Sequence, residues 1–447
     1  MKTKSIIATI LLALILTSCT PPSTPTPPTV ASVPTATSTP VPPQTITPTP
    51  APENIANAKD LSVWVEEYVH AFGGTVTIND VDMDANQLTD EIRANEEKYL
   101  ASKQVNGEEV LFLKVNGIPL AQRKMSEQHW QVVSLKYLAD SLNIQFGSQI
   151  VHYELTNLTY SKIALSEFNL YLTNGELDYS PRWIGEDRFD YSAADEFFTF
   201  TAKTGKPVHM YHLLDGENIP DWLANSAYSR ENYIEKMQGR VHSIMEKYRG
   251  QIELYSVVNE AFDWNKLKGF WFEKIGSDYI EIAFRVARET DPKAILIYND
   301  VNVSNGAIDD HENTVLDLVL SLKKQGLLDG VGMQMHVDAS QPFDRERFLQ
   351  NLLRYKKNGV AVYITEFDVD MSHVVGSEAQ RQQIKAELFR DVLAAYLDSG
   401  AGSSFCLFGF SSAVSWIPES DAHIFDSSFH PQRAYYSTLQ VLYENLP

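Results

Sequence analysis

The sequence predicts an α/β fold, a (β/α)8 barrel preceded by a small α+β module and a Pro/Thr-rich linker. Two observations carry that reading. Apolar strand-like runs occur at 144–151, 167–173, 207–214, 252–259, 294–299, 330–337, 361–366 and 403–410, with helical segments between them, such as Ser229 to Tyr248, Glu312 to Lys324 and Ser377 to Leu397. The last two stop at Gly326 and Gly400, where a helix is expected to end. Eight strands alternating with helices over about 310 residues is the pattern of a closed parallel barrel. Secondly, two of these runs end on a glutamate. Glu260 closes the run from Leu254, and Glu366 closes the run from Ala361. In such a barrel the chemistry gathers where the strands end, so carboxylates after the fourth and seventh strands share one cleft.

The segments before the barrel read in order. Residues 1–19 have a positive start at Lys2 and Lys4, an apolar stretch from Ile6 to Leu16, and the ending Leu16-Thr17-Ser18-Cys19. The apolar stretch is too short to cross a bilayer core of about 30 Å, so it reads as a bacterial export signal. Its ending resembles a lipobox, which implies cleavage before Cys19, lipid attachment to that residue and anchoring at the cell membrane or surface; the alternative is an ordinary secretion signal. Residues 20–53 are nearly all Pro, Thr, Ser, Val and Ala, a composition that favours extended polyproline conformations. Residues 54–132 read as a small α+β module. It has helical periodicity from Leu61 to Phe72, strand-like runs from Thr75 to Ile78 and Glu109 to Val115, and a turn at Val115-Asn116-Gly117-Ile118 leading into a further strand. It either binds carbohydrate, packs on the catalytic domain or spaces it. Residues 133–447 form the barrel.

Composition narrows the function classes. A formal net charge of −21 argues against nucleic acid and anionic membrane surfaces as partners. Aromatic residues make up 11% of the chain, as suits a carbohydrate cleft, although they serve cores equally well. Of the two cysteines, Cys19 is the lipid candidate, and Cys406 lies in the apolar run Ser404-Phe405-Cys406-Leu407-Phe408, where a buried small residue is expected. No Cys/His cluster has metal-ligand spacing and no glycine-rich phosphate loop occurs, so neither metal nor cofactor is expected. A monomer is expected.

A pair of carboxyl groups flanking a bond is the basic equipment for cleaving a glycoside. Around both glutamates the chain resembles family 10 glycoside hydrolases, the retaining β-1,4-xylanases. The resemblance rests on Val257-Val258-Asn259-Glu260-Ala261, Gly332-Met333-Gln334-Met335-His336 and Ile364-Thr365-Glu366-Phe367-Asp368-Val369. Ile219-Pro220-Asp221-Trp222, Tyr298-Asn299-Asp300 and Ser415-Trp416-Ile417-Pro418 add to it, and it covers residues 133 to 447. It implies a polysaccharide substrate, xylan or a related β-glycan, with Glu366 as nucleophile and Glu260 as acid/base. It further implies that Asn259 bonds the sugar 2-hydroxyl, that His336 is held by Asp368 and orients Glu366, and that Gln334 and Trp416 line the substrate cleft.

The chain departs from the family on the non-reducing side of the cleft. Where the family has Glu-Asn-x-Met-Lys-Trp after the second strand, this chain has Asn174-Gly175-Glu176-Leu177-Asp178-Tyr179. After the third strand, Met210-Tyr211-His212-Leu213-Leu214-Asp215-Gly216 replaces Gly-His-Thr-Leu-Val-Trp-His. Phe408 and Tyr255 stand where the family has tryptophans, and Trp183, Tyr179 and Tyr211 are candidate replacement contacts. Three readings follow: an endo-β-1,4-xylanase, a related enzyme on a decorated xylan or other β-glycan, and a non-catalytic surface carbohydrate-binding protein.

Overall fold

A computed structural model describes residues 53–177, 182–186, 188–301 and 310–447. The export signal, Cys19, the linker, Asp178 and Tyr179 therefore lie outside the described residues. Residues 51–447 form one compact unit.

Each of the eight strand-like runs coincides with a strand, β5 and β7 running past their expected ends: β1 (Gln145–Gln149), β2 (Leu170–Leu172), β3 (Val208–Met210), β4 (Leu254–Asn259), β5 (Ile295–Asp300), β6 (Gly330–Met333), β7 (Ala361–Asp370) and β8 (Ser404–Leu407). All pair in parallel, and β8 returns to β1, closing the barrel. Residues of β2, β3, β4, β6 and β8 are buried throughout, as expected of parallel strands covered on both sides. The major connecting helices are α1 (Leu158–Glu167), α2 (Ser192–Ala202), α3 (Arg230–Lys247), α4 (Tyr279–Thr290), α5 (Asp310–Lys324), α6 (Arg345–Lys357), α7 (Glu378–Ser399) and α8 (Arg433–Glu444).

Local sequence sets the helix ends. The Ser229 side chain caps α3 by accepting from the Asn232 amide, and Ser377 with Gln380 forms a reciprocal capping box on α7. Gly400 ends α7 in the left-handed conformation, at φ 50°.

The preceding segment contains the helix Leu61–Ala71 and the strands Val76–Ile78 and Glu108–Val115, close to the runs read from sequence. The further strand expected after the turn is Ile118–Lys124, while a hairpin partner Val81–Met83, a helix Ala85–Ala94, and sheet strands Leu100–Val105 and Gln131–Val132 are elements that periodicity does not announce. The reason is thin burial. Helix Ala85–Ala94 buries Leu88, Thr89 and Ile92, and strand Leu100–Val105 is mostly exposed or half-buried. Asn79-Asp80, Asn106-Gly107 and Asn116-Gly117 have positive φ at both positions, as two-residue hairpin turns require.

This segment packs on the last barrel helix. Tyr68 meets Tyr436 edge-on at 5.3 Å between ring centroids, and Phe112 meets Tyr443 at 5.0 Å. The Arg433 guanidinium donates to the Phe72 carbonyl at 3.1 Å and lies over the Phe72 ring.

Candidate active site

The strands deliver the functional side chains to one end of the barrel, and their irregularities aim them. The β4–β5 ladder shifts register between Ser256 and Val258, and the β7–β8 ladder shifts between Ile364 and Phe367. Bulges of this kind re-aim side chains beside active sites. Glu260, just past β4, has φ 48°, a left-handed conformation that is uncommon for a non-glycine residue. Its amide donates to the Asn299 carbonyl at 3.0 Å, which fixes the turn on β5. Met335, between Gln334 and His336, has φ 65°. The short strand His336–Asp338 then pairs with the outer half of β7, placing His336 directly opposite Asp368.

Five amide and carboxyl side chains form a continuous chain across the cleft floor. Asn299 Nδ2 donates to Glu366 Oε1 at 2.7 Å and to Asn259 Oδ1 at 2.8 Å. Gln334 Nε2 donates to Glu260 Oε1 at 2.7 Å and to Asn259 Oδ1 at 3.3 Å. With its carbonyl oxygen held by two donors, Asn259 turns its amide nitrogen toward Glu260, at a long 3.5 Å from Oε1. Thr365 Oγ1 donates to Asn299 Oδ1 at 2.7 Å and fixes which way that amide faces. All of these residues are buried except Glu260, which is half-buried.

The two glutamates experience opposite fields. Glu366 receives Asn299 on Oε1 and His336 Nε2, at 3.3 Å, on Oε2. His336 Nδ1 lies 2.9 Å from Asp368 Oδ1. Burial alone would depress the imidazole pKa, but the flanking Asp368 and Glu366 carboxylates overcome that and raise it to about 10. His336 is therefore an imidazolium at neutral pH, donating from both nitrogens. Glu260 is raised above the ordinary carboxyl range by burial, opposed by the Gln334 hydrogen bond and reinforced by the negative charges of Glu366, Asp300 and Asp215.

Trp416 is 55% exposed, and its indole N–H donates to Asp368 Oδ2 at 2.6 Å. Its ring centroid lies 5.0 Å from that of His336, and Phe408 stands 5.3 Å from the same imidazole. Tyr211 meets Phe408 at 5.4 Å, so Tyr211, Phe408 and Trp416 form one aromatic wall beside His336. Trp183 is not part of it. It is 1% exposed, stacks on Phe189 and packs edge-on against Trp222, which makes it a core residue. Glu176 also turns inward: its Oε1 accepts from the His152 amide at 3.3 Å, and its Oε2 accepts from the Asn174 amide. Cys406 is a free, fully buried thiol.

The structure brings together Glu260, Glu366, Asn259, His336, Asp368, Gln334 and Trp416, and adds Asn299 and Thr365. The sequence offers a signal for Asn299 in the triplet Tyr298-Asn299-Asp300 ending β5. Tyr298 OH, bonded to Asp300, accepts the Ala261 amide at 3.0 Å and so braces the residue after Glu260.

A family model described as Glycosyl hydrolase family 10 matches residues 134–441. Endo-1,4-beta-xylanase B of Thermotoga neapolitana is 30% identical over 327 residues, which is 71% of this chain and 93% of that protein. Xylanase 10B from Thermotoga petrophila RKU-1, solved in complex with xylobiose, superposes with a TM-score of 0.67 at 30% identity, covering 71% of this chain and 100% of that one. Native xylanase 10B from Thermotoga maritima gives a TM-score of 0.67 at 30% identity, covering 70% of this chain and 99% of that one. With the closed barrel and the paired glutamates in place, these matches establish that the chain belongs to glycosyl hydrolase family 10 and is a xylanase-like glycoside hydrolase.

Proposed function

We propose that the protein hydrolyses internal β-1,4 bonds of xylan with retention, by double displacement between Glu366 and Glu260. The observation that carries this reading is the amide chain joining two carboxyl groups that are treated oppositely. Glu366 has the Asn299 amide on one oxygen and the His336 imidazole on the other, which orient it. It attacks the anomeric carbon while Glu260, its pKa raised by burial and neighbouring negative charge, gives a proton to the leaving oxygen. The glycosidic bond breaks as the Glu366 ester forms. That ester carries no charge, so one contribution raising the Glu260 pKa disappears, and Glu260 can take a proton from the incoming water. Water then displaces Glu366, which restores both groups. Asn259 points an amide N–H toward the sugar 2-hydroxyl, Gln334 and Trp416 line the cleft, and Asp368 holds His336.

Reducing-sugar release from soluble xylan, with product analysis, tests the reading. Both Glu366→Ala and Glu260→Ala should abolish or nearly abolish turnover. Undiminished release from the Glu366 variant would refute the mechanism, and release only from another β-glycan would assign the polymer differently. That second outcome has a specific basis in the altered glycone side, where Glu176 is committed inward and Tyr211 and Phe408 supply the wall.

The export segment completes the proposal. Cys19 carries lipid, and residues 20–53 tether the enzyme to the cell membrane or surface, within reach of a polymer too large to import. At about 3.1 Å per residue in polyproline form, such a tether extends on the order of 100 Å. Cys19→Ser should move the protein from the membrane pellet to the soluble fraction; retention in the pellet would remove the lipid anchor from the proposal.

A further inference from the structure

His70, Asp426 and His430 come from opposite ends of the chain and converge on one point. His70 lies in the last turn of helix Leu61–Ala71, while Asp426 and His430 belong to the turn before α8. One ligand-capable atom from each lies within 4.8 Å of the other two. The imidazole centroids are 5.2 Å apart, with the ring planes inclined at 61°. We propose that these three side chains bind a zinc-class divalent cation that ties the N-terminal module to the barrel.

The positions are built, not incidental to a loose surface. Asp426 Oδ1 accepts the amides of Ser428 and His430, both at 2.8 Å, which locks the carboxylate within its own turn. Oδ2 is directed toward His430 Nδ1, 3.5 Å away, too far for a good hydrogen bond. The Asp426 amide donates to the His430 carbonyl at 3.0 Å, and Phe429, at φ 65°, lodges its ring against Tyr160. On the other side, His70 is held by its buried neighbours Tyr68 and Val69, and Tyr68 is docked on Tyr436. A cavity of about 380 Å³ lined by His70, Asp426, Gln382 and Gln432 adjoins the cluster and gives room for water ligands. Arg433 also lines that cavity, but its guanidinium is engaged by the Phe72 carbonyl and ring.

The donor set selects the ion. Two imidazole nitrogens and one carboxylate oxygen suit zinc, bound at about 2.0–2.2 Å, with water in the fourth position. Calcium and magnesium prefer oxygen-only shells. Tetrahedral ligation needs neighbouring ligand atoms about 3.3 Å apart, and rotation of the two exposed imidazoles covers the difference. Because the ligands span both ends of the chain, ion binding stabilises the docked arrangement over any opened one.

Titration calorimetry of the purified protein with zinc chloride and with calcium chloride, at neutral pH, tests the site alongside thermal unfolding with and without zinc. The expected result is one zinc per chain and a raised unfolding midpoint. His70→Gln and His430→Gln should each lose most of the affinity and the midpoint shift, yet unfold near the wild-type temperature without metal, since both side chains are exposed. No zinc binding by the wild type, equal binding by both variants, or calcium binding of equal strength would each overturn the proposal.

Discussion

Glu260 sits among negative charges, whereas Glu366 sits among donors, and that contrast divides the proposed roles between two identical side chains. Asp215 is the smallest contributor to the Glu260 field, and it also faces His212 and accepts the Glu217 amide at 2.6 Å. Asp215→Asn removes a negative charge from beside a carboxylic acid, so ionisation becomes easier and the pKa falls. The basic limb of the kcat/KM profile should then move to lower pH while the acidic limb stays in place; an unmoved basic limb would exclude Asp215 from the field that raises the Glu260 pKa. At this scale the sequence is informative where a residue sits in a short motif, as Asn259, Glu260, Gln334, His336, Glu366 and Asp368 do. It marks Asn299 through the triplet Tyr298-Asn299-Asp300 but not its bridging contacts, because its partners arrive from β4 and β7 and no local spacing records them. It also misdirects at Trp183, whose aromatic character suits a cleft and a core equally well until burial decides.

Strands and helices impose the tolerances within which these residues work. Gly332 on β6 leaves no room for a side chain: a Cβ there would lie 2.2 Å from Asn299 Oδ1 and 3.0 Å from atoms of Ile297 and Thr365. Gly332→Ala should therefore push Asn299 off the two groups it joins. Overpacking of this kind costs about 1–3 kcal/mol. The expected outcome is a lowered unfolding midpoint with a disproportionate fall in kcat, measured on the same preparation. Wild-type kcat at a lowered midpoint would mean that the Asn299 bridge does not matter to turnover. Element positions within the barrel were legible because each parallel strand is an apolar run bounded by polar helices. The smaller elements of the N-terminal segment were not, since strands such as Leu100–Val105 bury too little to leave a periodic trace.

Over the whole molecule, the His336 ion pair makes folding depend on pH in a definite direction. Its pKa rises from an ordinary 6.5 to about 10 in the folded state. A group raised on folding contributes its full stabilisation below the unfolded value, and the contribution fades as pH climbs through the folded one. Stability attributable to this group should be undiminished at pH below 6.5 and decline toward pH 10. Denaturant midpoints measured across that range should show the decline, and His336→Asn should flatten it; an equally steep decline in the variant would assign the alkaline sensitivity to other groups. The global reading of the fold from sequence, a (β/α)8 barrel, held because the alternation of apolar runs and helical segments repeats eight times. The His70–Asp426–His430 convergence was invisible at the same scale, because metal-ligand spacing is sought within a segment and these residues meet only after the chain has folded back on itself.

That return of the chain has a temporal consequence. Synthesis delivers the helix bearing Tyr68 before the barrel strands and the helix bearing Tyr436 and Tyr443 after all eight of them, yet Tyr68 packs on Tyr436 and Phe112 on Tyr443. Until α8 has emerged, the aromatic face of the earlier segment has no counterpart to pack against. Contacts of such wide sequence separation form late, because closing a long loop costs entropy before any contact is gained. The same join makes the segment before the barrel depend on α8: a chain interrupted before Arg433 leaves Tyr68 and Phe112 without their counterparts.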